Sequence, residues 1–363
     1  MEIRGVVIVT GAGSGIGRAV AQRLASLDAN VLICADMNLD AAKETATACR
    51  NIERPGTPKG LDAAAHPVDV RDETSVDDLI THVAETHGRI DVLVNTAGFG
   101  AAYQTPIRDM PLADWRSLDE VHNIGCFLLT RAALRVMDRQ DAVVLDATAG
   151  GRPPTRGAIV MLTSLASEGA FLGVGNYIAA KHAVKGMVQT SAIENAARGI
   201  RVNAVAPSYV SGPMMDQFLK ASPDVKAAIL GDLPMGRLAT VGEVADAVAF
   251  LASSFSSYVN GHTLVVDGGG SLALSIHRLE VDMSVMDFSI HSSFVISIAH
   301  DRAATWRLEY NQGSTSTAIP PAQVGDDPLG LVPRRDIRYL PPFELTGAMG
   351  NPPCERIAIW GGH

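Results

Sequence analysis

The 363-residue sequence contains no run of lysines or arginines, and 30 basic against 39 acidic residues leave a formal net charge of −9. Such a chain has no basic field to gather nucleic acid or an anionic membrane, so small-molecule chemistry is the expectation. No apolar stretch is long enough to span a bilayer. The opening MEIRGVVIVTGAG goes straight into a strand and a loop, without the apolar segment and cleavage site of a signal peptide, so a cytoplasmic location is expected. Cysteine is scarce: Cys34, Cys49, Cys126 and Cys354 lack metal-ligand spacing, and three of them lie in apolar or helix-like segments, as reduced thiols do. No metal site is expected. Absence of a GxSxG elbow argues against a hydrolase of that type.

What the sequence does have, up to about residue 270, is alternation of β-branched runs with helix-like runs. The strand candidates are VVIVT, NVLICAD, a segment ending at HPVDV, IDVLVN, GAIVMLTS, IRVNAVAP and HTLVVDGG. Helical runs such as GIGRAVAQRLASL and VADAVAFLASS separate them. This is the pattern of an α/β fold with a doubly wound, seven-stranded parallel sheet. Two connections are long, at residues 51–63 and 138–157, and both run from a helix end to a strand start. Ligands collect at the carboxyl ends of strands, so both connections are expected as surface loops at the opposite edge. Residues 1–271 form the expected domain. Residues 272–363 read as a Pro-rich, poorly ordered extension, with 8 of the 19 prolines and short strand candidates at SFVISIA and ATWRLEY.

The first strand leads through Thr10–Gly17, TGAGSGIG, directly into a helix. Glycines there permit a tight turn and bring a pyrophosphate close to backbone amides at a helix N-terminus. The context, first strand to first helix, makes this a dinucleotide-binding candidate built from Gly11, Ser14, Gly15, Ile16 and Gly17. The second strand ends at Asp36, 19 residues past Gly17, where a carboxylate accepts hydrogen bonds from ribose hydroxyls and repels a 2′-phosphate. With Met37 and Asn38 following, and Ser14 where a basic residue would help a phosphate, NAD is the expected cofactor.

In GNYIAAKHAV, residues 175–184, Tyr177 precedes Lys181 by one helical turn, so both side chains share a face. A phenol ionises near pH 10 when free, and an adjacent cation favours the phenolate. That makes Tyr177 an acid–base candidate.

With TGAGSGIG, Asp36, Asp69-Val70, NTAG at Asn95–Gly98, Ser164 and NYIAAKH in this order, the sequence resembles the short-chain dehydrogenase/reductase family over residues 3 to about 270. The resemblance implies a Rossmann-type doubly wound sheet with helices on both faces. It implies a catalytic Ser164, Tyr177 and Lys181, with Ser164 rather than Thr163 or Ser167 as the serine. It further implies that Asp69 and Val70 flank the adenine, that Asn95, Ala97 and Gly98 line the cofactor, and that Tyr177 and Lys181 also bind it. Thr96 stands where a second Asn is commoner. The implied reaction is hydride transfer between NAD and a hydrophobic secondary alcohol or ketone. In it Tyr177 moves the hydroxyl proton, Ser164 holds the oxygen and Lys181 favours the phenolate and binds the nicotinamide ribose. The alternatives are an NAD-dependent epimerase or dehydratase of the same family, and a non-catalytic NAD-binding protein.

Three departures from the family pattern stand out. The family's helix Asn, whose local distortion holds a proton-relay water, maps onto His122, with Asn123 one residue later. His122 would hold the water through its carbonyl or relay a proton itself, since imidazole titrates near neutrality. In Ala206–Met214, Ser208 replaces a Gly and Gly212 a Thr, leaving Val210 to meet the nicotinamide carboxamide through its backbone and Ser211 to compensate for the lost hydroxyl. The expected substrate wall is apolar: Phe99, Tyr103, residues 166–172 and 209–219, with Met214, Met215 and Phe218 as a lid and Glu168 as a solvated charge. VHxxGxF around His122 resembles hydroxyacyl-processing members, and inserts like 138–157 resemble those of filamentous fungi, many of which act in secondary metabolism. Family habit also implies a homodimer or homotetramer.

Overall fold

The computed structural model describes residues 3–53, 61–100, 105–144, 152–212, 215, 219, 229–231, 233–273, 296–300 and 306–310. The chain divides into two compact units, Met1–Arg278 and Leu279–His363.

In the first unit, seven parallel strands lie in the order β3-β2-β1-β4-β5-β6-β7. They are β1 (Val6–Thr10), β2 (Val31–Asp36), β3 (Asp62–Pro67), β4 (Val92–Asn95), β5 (Gly157–Leu162), β6 (Ile200–Pro207) and β7 (Thr263–Val266). Helices α1 (Gly15–Ser26), α2 (Leu39–Arg50) and α7 (Val241–Ala252) pack on one face. The other face carries α3 (Glu73–His87), α5 (Gly125–Met137) and α6 (Gly175–Asn195). Because strand side chains alternate, β1 feeds both cores: Val6 and Ile8 enter one, Val7 and Val9 the other. A sheet covered on both faces is apolar along its whole length, as VVIVT is.

The helices start and stop where local chemistry dictates. Asn38 caps α2 through the Ala41 amide, Asp72 caps α3 through the Thr74 amide, and Thr240 with Glu243 forms a reciprocal box at the start of α7. One helix is irregular. Between α4 (Leu112–Leu118) and α5 the backbone widens into a π turn, Asp119–Ile124.

The chain order reverses beside β1, which pairs with β2 on one side and β4 on the other. The carboxyl ends of β1 and β4 therefore open a crevice, and every candidate site residue belongs to a segment at or just beyond a strand's carboxyl end or to a helix packed behind it. The long connection before β5 lies at the opposite edge. Its described ends pair as an antiparallel bridge, Val143 with Thr155, and Gln140 exchanges hydrogen bonds with the Ile90 backbone (3.0 and 2.8 Å). A cavity of about 400 Å³ lies there, against Arg152, Arg201 and Tyr258. Residues 54–60 and 145–151 of the two long connections lie outside the described residues.

In the second unit, β8 (Ile296–His300) and β9 (Trp306–Tyr310) pair antiparallel, within the two stretches where strands are expected. The rest of residues 274–363 lies outside the described residues, so the expectation of poor order there does too.

Candidate active site

The glycine loop bends from β1 into α1 and is sealed against its neighbours. A side chain at Gly17 would overlap the Gly11 carbonyl and lie 2.5 Å from Thr96 Oγ1, so the helix enters this close only as glycine. Gly15 differs: its φ of +50° is left-handed, and a Cβ there would meet nothing within 4 Å. Ser14 offers no side-chain cap to α1, and the first amides of a helix have no partners within it. Amides and open space at a positive helix end fit a pyrophosphate.

Asp36 ends β2 with both carboxylate oxygens engaged. Oδ2 accepts the Gly13 amide at 2.8 Å and Oδ1 the Asn38 amide at 2.9 Å. The carboxylate is thus fixed beside the loop. Arg18 lies one turn along α1 but is committed elsewhere, donating to the Gly13 carbonyl (2.7 Å) and Thr45 Oγ1 (3.1 Å) and pairing with Glu44 (3.3 Å). On the far side of Asp36 a cavity of about 360 Å³ is lined by Met37, His66, Val68, Asp69 and Asp78 among others. Sequence reading did not single out His66 or Asp78, because neither belongs to a motif. The Asp69 carboxylate is gripped by the Arg71 guanidinium at 2.7 and 2.9 Å, which holds its pKa below the usual range. Val70 is buried and packs against Gly125.

Across the switch point the loop after β4 is shaped by its own polar side chains. Asn95 Oδ1 accepts from Thr10 Oγ1 (2.6 Å) and the Ala97 amide (3.1 Å), while its Nδ2 donates to Cys126 Sγ (3.0 Å). Thr96 Oγ1 donates to the Thr10 carbonyl at 2.6 Å. Asn95 and Thr96 therefore tie β4 to β1, leaving Ala97, Gly98 and Phe99 to form the crevice wall.

The candidate catalytic side chains come from the segment just after β5, from α6 and from the π turn. Thr163 is buried and donates to the Val205 carbonyl, and Ser167 Oγ donates to the Ser164 carbonyl. Ser164 Oγ, by contrast, only accepts the Ala166 amide (3.2 Å). Asn176 anchors the start of α6 by donating to the Asp114 carbonyl (3.1 Å) and accepting the Tyr177 amide (2.9 Å). Sequence reading passed over this Asn although it adjoins the Tyr. Lys181 is 4% exposed, donates to the Leu162 carbonyl at 3.0 Å, and pairs with no carboxylate among the described residues. Its Nζ lies 5.5 Å from the centre of the Tyr177 ring. A buried ammonium without a counterion favours negative charge on any acid beside it.

His122 completes this cluster and Asn123 does not: Asn123 turns to Asp119 (3.0 Å), while the buried His122 ring meets the Tyr177 ring edge-on at 5.5 Å and 85°. The expectation that its imidazole titrates near neutrality does not hold. Burial first, and the Lys181 charge second, push its pKa down to about 3. Further along, Val210 bridges to Ala239 using the Tyr209 carbonyl and the Ser211 amide, so its own amide and carbonyl point the other way. Glu168 is less solvated than expected, held by Lys185 at 2.7 Å and by Ser167 Oγ at 3.2 Å. Tyr103, Met214 and Phe218 lie outside the described residues. Among the described residues no three His, Cys, Asp or Glu side chains are grouped to hold a metal, and no helix is long and apolar enough to cross a membrane.

Comparison with known proteins agrees with this geometry. Residues 11–271 match the family described as Enoyl-(Acyl carrier protein) reductase. The chain is 41% identical over 274 residues to a short-chain dehydrogenase of Pyricularia oryzae, covering 75% of this chain and 98% of the relative. It is 38% identical over 264 residues to the cis-4-hydroxycyclohexanecarboxylate dehydrogenase of Sinomonas cyclohexanicum, covering 73% and 95%. A gluconate 5-dehydrogenase from Burkholderia cenocepacia, solved with NADP and tartrate, superposes with a TM-score of 0.65 at 29% identity over 75% of this chain and 97% of that one. The chain therefore belongs to the short-chain dehydrogenase/reductase family of oxidoreductases.

Proposed function

We propose that the protein transfers hydride between NAD and a hydrophobic secondary alcohol or its ketone. The observation that carries this reading is the buried Lys181 ammonium, which lies without a carboxylate partner among the described residues and within 5.5 Å of the Tyr177 ring. A binding protein gains nothing from that arrangement, since burying an unpaired charge is costly. In the oxidation direction Tyr177, as phenolate, accepts the proton of the substrate hydroxyl. Ser164 donates to the same oxygen and holds it in place. Lys181 stabilises the phenolate and reaches the nicotinamide ribose. The bound cofactor supplies the hydride acceptor at C4 of its nicotinamide. Gly11, Ser14, Gly15, Ile16 and Gly17 hold the pyrophosphate, Asp69 and Val70 flank the adenine, Asn95, Ala97 and Gly98 line the crevice, and Val210 meets the carboxamide through its backbone.

NAD rather than NADP follows from charge. The fixed Asp36 carboxylate accepts from ribose hydroxyls and repels a 2′-phosphate, Met37 is exposed beside it, and Arg18 is already paired. The hydrophobic substrate class is supported by the exposed Phe99 and Leu172, and by the relative named for a ring-borne secondary alcohol. Exposed Ile124 and Phe127 on and beside α5 support a homodimer or homotetramer, which a monomer in light scattering at micromolar concentration would overturn.

The test is to mix the full-length protein with NAD or NADP and a panel of hydrophobic secondary alcohols, and follow absorbance of the reduced nicotinamide. Expected is turnover with kcat/KM for NAD at least about tenfold above that for NADP, a difference of about 1.4 kcal/mol. Cofactor binding without oxidation of any alcohol, or reduction of any ketone by the reduced cofactor, would favour a non-catalytic or epimerising protein. Preference for NADP would overturn the cofactor assignment.

A further inference from the structure

The His122 imidazole touches three things, each for a definable reason. Its Nε2 lies 2.7 Å from the Phe99 carbonyl oxygen, 23 residues away in sequence. A carbonyl can only accept, so the single proton of the neutral ring sits on Nε2 and Nδ1 keeps a lone pair. Nδ1 is buried and makes no hydrogen bond among the described residues. The ring edge meets Tyr177 at 5.5 Å, and the Phe99 ring lies 5.9 Å away. Its remaining side lies against Gly98. A Cβ at Gly98 would overlap His122 Cε1 and fall 2.8 Å from Nδ1. Gly98 is not among the glycines with positive φ, so space rather than backbone conformation requires a glycine there.

The π turn is what brings the ring to this place. One widened turn between α4 and α5 displaces the helix surface toward the loop after β4, and π turns commonly mark functional sites. We infer that His122 is a positioning residue: its Nε2–H imidazole is a strut that fixes the loop of residues 97–99 relative to Tyr177, and Gly98 is glycine to admit the ring. This deepens the reading of the site given above, because that loop carries the cofactor wall at Ala97 and Gly98 and the substrate wall at Phe99. A second role open to a histidine here is a proton relay. A strut needs only a donor aimed at the Phe99 carbonyl, whereas a proton relay needs a ring that takes up and releases a proton.

Glutamine separates the two, since its amide donates to the Phe99 carbonyl and does not titrate. The experiment compares His122→Gln, His122→Ala, Gly98→Ala and the Gly98→Ala/His122→Ala double variant, by thermal unfolding, by NAD and NADP affinity, and by the pH profile of turnover. His122→Ala is expected to weaken cofactor binding by about tenfold, the usual effect of losing a supporting hydrogen bond around a site, and His122→Gln to restore it to within about threefold. The pH profile of His122→Gln keeps the wild-type shape. Gly98→Ala lowers the unfolding temperature and cofactor affinity, and removing the ring in the double variant recovers both. Should Gly98→Ala fail to fold, a folded double variant carries the same conclusion. The inference is overturned if His122→Gln is as impaired as His122→Ala with an altered pH profile, or if Gly98→Ala is silent. Unfolding is read without substrate or cofactor, so the Gly98–His122 pairing remains tested even if the protein proves inactive on every alcohol.

Discussion

On the β1–β2–β3 side of the crevice, backbone and glycine do the holding; on the β4–β5–β6 side, buried side chains do it. The first side presents helix amides, the open space at Gly15 and a carboxylate whose two oxygens are fixed by neighbouring amides. Nothing there needs to change charge for a dinucleotide to bind. The second side gathers Ser164, Tyr177, Lys181 and His122 from three elements around a buried ammonium. That ammonium, buried without a carboxylate partner among the described residues, favours negative charge on an acid beside it, as the role proposed for Tyr177 requires. The comparison teaches that the binding half holds fixed shape and fixed charge, while the other half is built around an ammonium buried without a carboxylate partner among the described residues.

That difference can be broken from either side. The largest effect is expected from Gly17→Ala, where the new methyl must displace the Gly11 carbonyl or Thr96. Overpacking of this kind costs about 1–3 kcal/mol, and the displaced loop is the one that binds pyrophosphate, so titration calorimetry should find NAD affinity reduced by about 100-fold or more. Asp36→Ser is gentler. It removes the acceptor for the ribose and the repulsion of a 2′-phosphate together, so the ratio of NAD to NADP affinity should fall by about tenfold with the fold retained, as ribose recognition alone is lost.

A further effect belongs to the charged side and appears in stability. His122 has a folded pKa of about 3 against about 6.5 unfolded, so below pH 6.5 the unfolded chain binds a proton that the folded chain refuses. Stability contributed by the neutral ring is therefore complete above pH 6.5 and is lost as pH falls from there toward 3, with a slope approaching about 1.4 kcal/mol per pH unit. Denaturant unfolding between pH 6.5 and 5, above the range where carboxylates titrate, should show this slope in the native protein and lose it in His122→Asn.

Much of this architecture is legible in the sequence because it is local. TGAGSGIG and Asp36 are read from spacing within one strand–helix–strand unit, and Tyr177 with Lys181 from one helical turn. Six of the seven strands of the first unit appear at the expected β-branched runs, since a doubly covered sheet is apolar throughout; the third, DAAAHP at the sheet edge, has no β-branched residue and ends at Pro67, before the expected end at HPVDV. What escapes the sequence is made by contacts between distant segments. The π turn at DEVHNI is expected only through the family resemblance at His122, since nothing in the local spacing marks it. Gly98 and His122 lie in different elements, so no periodicity connects them. The neutrality of His122 depends on burial and on Lys181, neither of which has a signature in residues 119–124. Glu168 looked like a loop charge because Lys185, its partner, sits 17 positions later on another element.

The central claim is that Tyr177 moves the substrate proton at a site whose cofactor half needs no change of charge. The direct measurement is the turnover of Tyr177→Phe beside its affinity for NAD. Removing an acid–base group should lower kcat by about 10²- to 10⁴-fold while NAD affinity stays within a few-fold of the native value. Turnover that survives Tyr177→Phe unchanged would contradict the account.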